Sequence, residues 1–221
     1  MQEVNRDEKF YAMVSRTKLI DRWALMRNVE RENVAEHSFE VAIFAHALAL
    51  IRQEYFPELK PQVDPLLVMA KALFHDVSEV ITGDLPTPVK YHDQRLETAY
   101  KDLEKLAVED LLSLLPERLA KHYKNLLEEK SFNEYEDEVE RTMAKLVKAG
   151  DKLSAFVKCI NELNQGNQEF KEAYHSTKKK LESYEMPELD FFMEKFLKAF
   201  YLSLDELKAD DLASTDFEEA K

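Results

Sequence analysis

The sequence predicts a single compact all-α domain, and three observations carry that expectation. The chain holds only 3 glycines and 7 prolines in 221 residues, too few for the many tight turns of a sandwich or barrel. Its apolar residues, 45% of the total, recur at helical spacing over long segments. Several of those segments open on cap residues or prolines that suit helix starts.

In chain order, a first amphipathic helix is expected over 10–20, from Phe10, Met13, Val14, Leu19 and Ile20. Asp21 to Glu32 then turns polar and irregular. Asn33, with Glu36 three residues later, has the pattern of a capping box. Val41, Phe44, Ala45, Leu48 and Ile51 carry that helix to about Tyr55. Asp64-Pro65 puts a cap residue before a proline at the first helical position, which predicts a helix through Leu66, Met69, Ala70, Leu73 and Val77 to about Ile81. Gly83 ends it. The segment from Asp84 to Pro88 is expected to be extended or turned, because proline disfavours helix at the residue before it. A long helix follows over 93–114, a shorter one from Pro116 to Leu127, and another over 135–164. The last two cover 168–184 and 188–207, the second opened by Pro187. No repeat and no Gly/Ser linker breaks this run. One domain over 1–208 is expected, with an acidic, disordered tail over 209–221.

Charge and composition narrow the function classes. Lys+Arg number 31 and Asp+Glu 44, a net charge of −13, so the overall field repels nucleic acid polymers, which are bound through neutralised phosphates. Residues 1–31 run against that trend, with seven basic residues against five acidic. A small anionic ligand near the N-terminal segment therefore stays compatible with the chain. No run of about 18 apolar residues is present, so no membrane partner is expected. The N-terminal residues carry no apolar signal core, and the single Cys159 demands no oxidising compartment. A cytoplasmic protein is expected.

Four positions stand out for chemistry: His37, the adjacent His75 and Asp76, and Asp151. Imidazole and carboxylate suit divalent transition metals, and together these offer an N2O2 set. Carboxylates inside predicted apolar helices are costly unless paired, and a metal offsets that cost. Glu79, four residues after His75 and three after Asp76, shares their helix face and could reach a metal-bound water as a general base or proton shuttle. The blander reading is a set of hydrogen-bonded core histidines. His46 lies about 180° round the helix from His37, and His92, His122 and His175 sit in polar surroundings.

The pattern Glu36-His37-Ser38, then His75-Asp76-x-x-Glu79, then Gly83-Asp84-Leu85-Pro86-Thr87-Pro88-Val89-Lys90, then Asp151 resembles the HD-domain phosphohydrolases, and most closely their 5′-deoxynucleotidase branch. Arg22-Trp23-x-Leu25-Met26-Arg27-Asn28 and the stretch from Phe191-Phe192-Met193 to Leu207 are similar to that branch as well. The resemblance covers roughly residues 10–207. It implies an HD-type helical domain with His37, His75, Asp76 and Asp151 as metal ligands and Glu79 as the catalytic carboxylate. It further implies Arg22 orienting the phosphate, Trp23 packing beside the sugar, and Asp84, Leu85, Pro86 and Thr87 lining the nucleoside side. His37, Asp76 and Asp151 would also face the bound nucleotide. The cofactor implied is one divalent ion, Co2+ first, with Mn2+, Ni2+ or Zn2+ also accepted by the ligand set, in a homodimer acting on deoxyribonucleoside 5′-monophosphates. Two enzyme alternatives use the same scaffold, a cyclic-nucleotide phosphodiesterase and a nucleoside triphosphohydrolase. A third alternative is a non-catalytic nucleotide-binding helical module.

Overall fold

The computed structural model describes residues 4–90, 92–128 and 134–209. Eleven helices are found among them: α1 (Phe10–Val14), α2 (Val34–Tyr55), α3 (Pro65–Phe74), α4 (Glu79–Thr82), α5 (Thr87–Lys90), α6 (Gln94–Leu112), α7 (Glu117–Leu127), α8 (Glu138–Asn164), α9 (Lys171–Glu182), α10 (Pro187–Lys195) and α11 (Leu204–Lys208). Among the described residues extended pairing is limited to one isolated antiparallel bridge, Asp21 with Asn33.

The expected caps form. Asn33 Oδ1 accepts from the amides of Ala35 and Glu36 at 3.0 and 3.1 Å, and Glu36 Oε2 accepts from the Asn33 amide at 3.1 Å. Asp64 Oδ1 takes the Leu66 amide at 2.9 Å, with Pro65 at the first position of α3. Each cap satisfies amides that no helical carbonyl can reach.

Other expectations need correction. The helix expected over 65–81 breaks after Phe74. Residues 75–78 form turns bonded from residue i to i−3, such as Val77 N to Phe74 O at 3.1 Å, before α4 resumes at Glu79. The first helix is α-helical only to Val14 and tightens into a 3₁₀ turn over Ser15–Leu19, where Thr17 Oγ1 donates to Val14 O at 2.8 Å. The segment at the prolines becomes helical from Thr87, with Pro88 early in α5, where its missing N–H is no loss. The start of α8 falls at Glu138 on an Asp137 cap rather than at 135. The helix expected over 168–184 opens with a 3₁₀ turn, Gln168–Phe170, before α9. The stretch expected as one helix over 188–207 splits into α10, a 3₁₀ turn over Leu197–Tyr201, and α11. A second capping box makes that last break: Ser203 N donates to Glu206 Oε2 at 2.6 Å and Glu206 N to Ser203 Oγ at 3.4 Å. The acidic tail falls outside the described residues, apart from Ala209.

The main core lies between α2, α3, α8, α9 and α10, where Val41, Ala45, Leu48, Leu146, Leu153 and Phe156 are buried. A smaller core joins α1, α6 and α7 through Phe10, Leu111, Leu115 and Leu127 to Val77 in the 75–78 turns. That turn segment is thus packed from the far side. α2 is long and apolar enough, by length and composition, to cross a membrane, a property the run-length reading of the sequence passes over. Eleven of its residues are buried in the fold, His37 among them.

Gly150 sets the closest approach in the core. A Cβ placed on it would stand 3.0 Å from Ala45 N and 3.1 Å from Val41 O. α2 and α8 therefore meet almost backbone to backbone one residue before Asp151 and one turn after His37.

Candidate active site

Three pieces of chain converge beside that contact. The first turn of α2 supplies His37, the 75–78 turns supply His75 and Asp76, and the middle of α8 supplies Asp151. His37 is fully buried, and Asp151 is 8% exposed. The candidate ligand atoms of His37, His75 and Asp76 lie within 4.8 Å of one another. Asp76 Oδ2 stands 3.5 Å from His37 Nε2 and 3.1 Å from His75 Nε2. Asp151 Oδ1 adjoins from the other side, 3.3 Å from His37 Nε2.

Both imidazole tautomers follow from their outer contacts. His75 Nδ1 lies 2.7 Å from Ala72 O. A carbonyl only accepts, so Nδ1 carries a hydrogen and Nε2 is the ring atom turned to Asp76 Oδ2. His37 Nδ1 lies 3.1 Å from Ser154 Oγ. Ser154 spends its own hydrogen on Glu40 Oε2 at 2.8 Å, so it accepts from His37 Nδ1–H. His37 Nε2 is buried and makes no hydrogen bond. Two imidazole Nε2 atoms beside two carboxylates, each ring steadied through Nδ1, are an arrangement that suits a divalent cation. The residues fit such an ion.

The charges around it are balanced by design of the neighbours. Burial alone would raise the pKa of Asp76, but His75, His37 and Arg22 hold it well below the usual carboxylate range. For Asp151, burial is likewise outweighed by Lys152 and Lys148, at 3.2 and 3.3 Å from its Oδ2, and by His37. Glu79 goes the other way. Burial, then repulsion from Asp76 and Asp84, pushes it up to about 10, and its Oε2 is buried with no hydrogen-bond partner. Burial also raises Asp84, against the pull of Arg22. Arg22 is itself enclosed. Burial works against its charge, but Asp76, Glu32, Asp151 and Asp84 together raise its pKa.

The other expected site residues take these positions. Arg22 Nη1 stands 3.3 Å from Asp76 Oδ2, at the edge of the cluster. Trp23 is half-buried, tilted against Phe170 with ring centroids 5.2 Å apart. Asp84, Leu85 and Pro86 are half-buried and Thr87 is exposed at the start of α5. Gly83, at φ +73° and ψ 161°, opens this loop in a region essentially reserved for glycine, and its carbonyl accepts from Tyr100 Oη at 2.9 Å. His92, His122 and His175 are exposed, as expected. The sequence reading missed Glu32, Glu40 and Ser154 around His37, and Lys148 and Lys152 at Asp151. Ser154 lies three residues after Asp151, a shared helix face that offered a usable signal.

The fold and the buried His/Asp cluster define the class: an HD-domain helical protein. An HD-domain phosphohydrolase from Listeria innocua superposes with a TM-score of 0.71 over 90% of this chain and 92% of its own, at 24% identity. A cyanophage S-2L HD phosphohydrolase bound to dA and one catalytic Zn2+ ion superposes with a TM-score of 0.55, at 17% identity over 90% of this chain and 99% of its own. Sequence comparison is more specific. The family model for 5′-deoxynucleotidase YfbR-like proteins matches residues 9–200. A 5′-deoxynucleotidase of Yersinia pestis (strain Pestoides F) is 45% identical over 203 residues, 92% of this chain and 98% of its own length. A Yersinia pseudotuberculosis relative of the same name matches equally well, at 45% identity over 92% of this chain and 98% of its own. The chain belongs to the YfbR-like 5′-deoxynucleotidase family.

Proposed function

We propose that His37, His75, Asp76 and Asp151 hold one divalent transition-metal ion and that the chain hydrolyses deoxyribonucleoside 5′-monophosphates to deoxyribonucleoside and inorganic phosphate. The observation that carries the metal reading is the pair of buried imidazoles with Nδ1 protonated and Nε2 turned toward Asp76. Family membership at 45% identity supplies the reaction. When bound, the ion supplies Lewis acidity, neutralising phosphoryl charge and acidifying water.

The chain's own residues do the rest. Arg22 presents a planar set of N–H donors beside Asp76 and orients the phosphate dianion, a task an acidic chain can assign to few other groups. Glu79, buried and one short turn from the ligands, moves the proton between water and the departing 5′-oxygen. Trp23 packs beside the sugar. The loop from Asp84 through Leu85 and Pro86 to Thr87 borders the nucleoside. Prolines at 86 and 88 hold that border in one shape at low entropic cost.

Co2+ is the ion we assign to the site, since the N2O2 set accepts it along with Mn2+, Ni2+ and Zn2+. A second copy of the chain is the partner we assign to the outer face of α2 and α3, where Phe39, Ile43, Leu66 and Leu73 are 62, 47, 62 and 46% exposed. The testing experiment is phosphate release from paired deoxy and ribo monophosphates under each ion, alongside cyclic and triphosphate nucleotides. Deoxy monophosphates turned over best, with Co2+ the strongest activator, is the expected result. Phosphate release from triphosphates alone, or turnover that survives chelation, overturns the reading.

A further inference from the structure

Glu32 has no part in the roles above, yet it touches three of the residues that do. Its side chain is 11% exposed. Oε1 stands 3.3 Å from His37 Nδ1 and 3.6 Å from Arg22 Nε, and Oε2 accepts from Trp23 Nε1 at 2.7 Å. Its backbone carbonyl takes the Arg22 amide at 2.9 Å. Between these contacts Trp23 sits at φ +57°, a left-handed conformation that a bulky side chain adopts only under constraint. The Asp21–Asn33 bridge closes the same loop.

We propose that Glu32 is the positioning residue of this site, its one buried carboxylate tying the Arg22-Trp23 turn to His37. The proposal rests on the reading of His37 as a metal ligand and Arg22 as a phosphate contact. An ionised carboxylate suits the task because it accepts the Trp23 N–H while its charge faces the His37 ring and the Arg22 guanidinium. A glutamine keeps the shape but turns an N–H₂ group toward one set of donors. An aspartate keeps the charge but is one methylene too short to span all three.

The coupling has a built-in reporter. Trp23 is the chain's only tryptophan, and its indole N–H ends on the carboxylate that faces His37. The experiment is a Zn2+ titration of the full chain, followed by tryptophan emission and by equilibrium dialysis, with KM and kcat for a deoxynucleoside monophosphate measured beside it. In the wild type, emission should shift as the metal saturates. In Glu32→Gln that shift should vanish, zinc affinity should fall about 10–100-fold, the usual scale for outer-shell partners, and KM should rise more than kcat falls. Glu32→Asp should recover part of the zinc affinity and not the emission shift. If zinc binds and Glu32→Gln matches the wild type in affinity and KM, Glu32 has no positioning role. If both variants fold poorly, the wild-type titration decides: emission unmoved at full occupancy overturns the coupling, and a metal-linked shift supports it. A wild type that binds no zinc overturns the metal reading itself, a separate result from the first.

Discussion

At the scale of single residues, the site is a contest between burial and charge, and the outcome differs from one carboxylate to the next. Asp76 and Asp151 stay ionised because imidazoles, Arg22 and two lysines face them. At Glu79 burial, with repulsion from Asp76 and Asp84, outweighs Arg22 and Lys90 and pushes it up to about 10. On the proposed reading, this separates Asp76 as ligand from Glu79, three residues on, as proton carrier. Glu79→Gln should therefore retain stoichiometric metal and nucleotide affinity, while kcat falls by about 10²–10⁴, the range for a lost general acid–base group. Metal analysis and kcat on the same preparation check it. A variant with near-normal kcat removes Glu79 from the mechanism, and one that loses metal makes it a ligand.

At the scale of elements, two contacts decide where the site residues sit. Gly150 lets α8 approach α2 at backbone distance, and the facing atoms belong to a helix backbone that cannot swing aside. Gly150→Val should destabilise by about 1–3 kcal/mol through overpacking and should weaken metal binding as well, since Asp151 and His37 part together. A urea midpoint and a metal titration read the two effects. Gly150→Ala is a less sharp test, because helix propensity returns up to about 1 kcal/mol. The second contact is Glu162, which is wholly buried in α8. It accepts from the amides of Val29 and Glu30 at 2.9 and 3.1 Å, from Asn167 Nδ2 at 2.6 Å, and from Lys158, and so clasps the loop behind Arg22 and Trp23. Burial opposes its charge, but these donors hold its pKa at about 2 against 4.5 unfolded. A depressed folded-state pKa means stability that is present above pH 4.5 and is lost as pH falls toward 2. Its size is roughly 3 kcal/mol at 1.36 kcal/mol per unit. The stability gap between wild type and Glu162→Gln should be widest near pH 6 and close on acidification. A gap independent of pH would show that packing, not ionisation, is what Glu162 contributes.

At the scale of the whole molecule, the acidic chain brings two carboxylates to the site we propose for a cation. Net charge is −13, and Asp76 and Asp151 stand on either side of His37 Nε2, at 3.5 and 3.3 Å. An ion bound there only in the folded state stabilises by mass action, about 2.7 kcal/mol at a hundredfold excess over Kd. For a chain of this size that is a rise in Tm of about 5–10 °C. Wild type should show the rise with Co2+ or Zn2+ and lose it on chelation, and His75→Ala should show neither. An equal rise in both proteins would mean that the ions act elsewhere on the surface.

The starts of α2 and α3 were legible in the sequence, because a cap is a bargain struck within about four residues: Asn33 with Glu36, and Asp64 with Pro65. The Ser203–Glu206 box was equally local and was passed over. The residues of the proposed ligand set were legible by residue type and by resemblance, and the fold brings the four together. The rest lay out of reach of any local window. The break at His75 depends on packing from α1, α6 and α7 as much as on its own residues. The His37–Ser154 bond spans 117 positions and the Glu162–Val29 bond 133. No periodicity marks Glu32 as the junction of Arg22, Trp23 and His37. The sequence alone determined which side chains could hold an ion and where the locally capped helices α2 and α3 would start, because both are short-range chemistry. Tertiary structure decided which nitrogen of each histidine faces the carboxylates, which carboxylate keeps its proton and how closely α2 meets α8, because those depend on neighbours that only folding brings together.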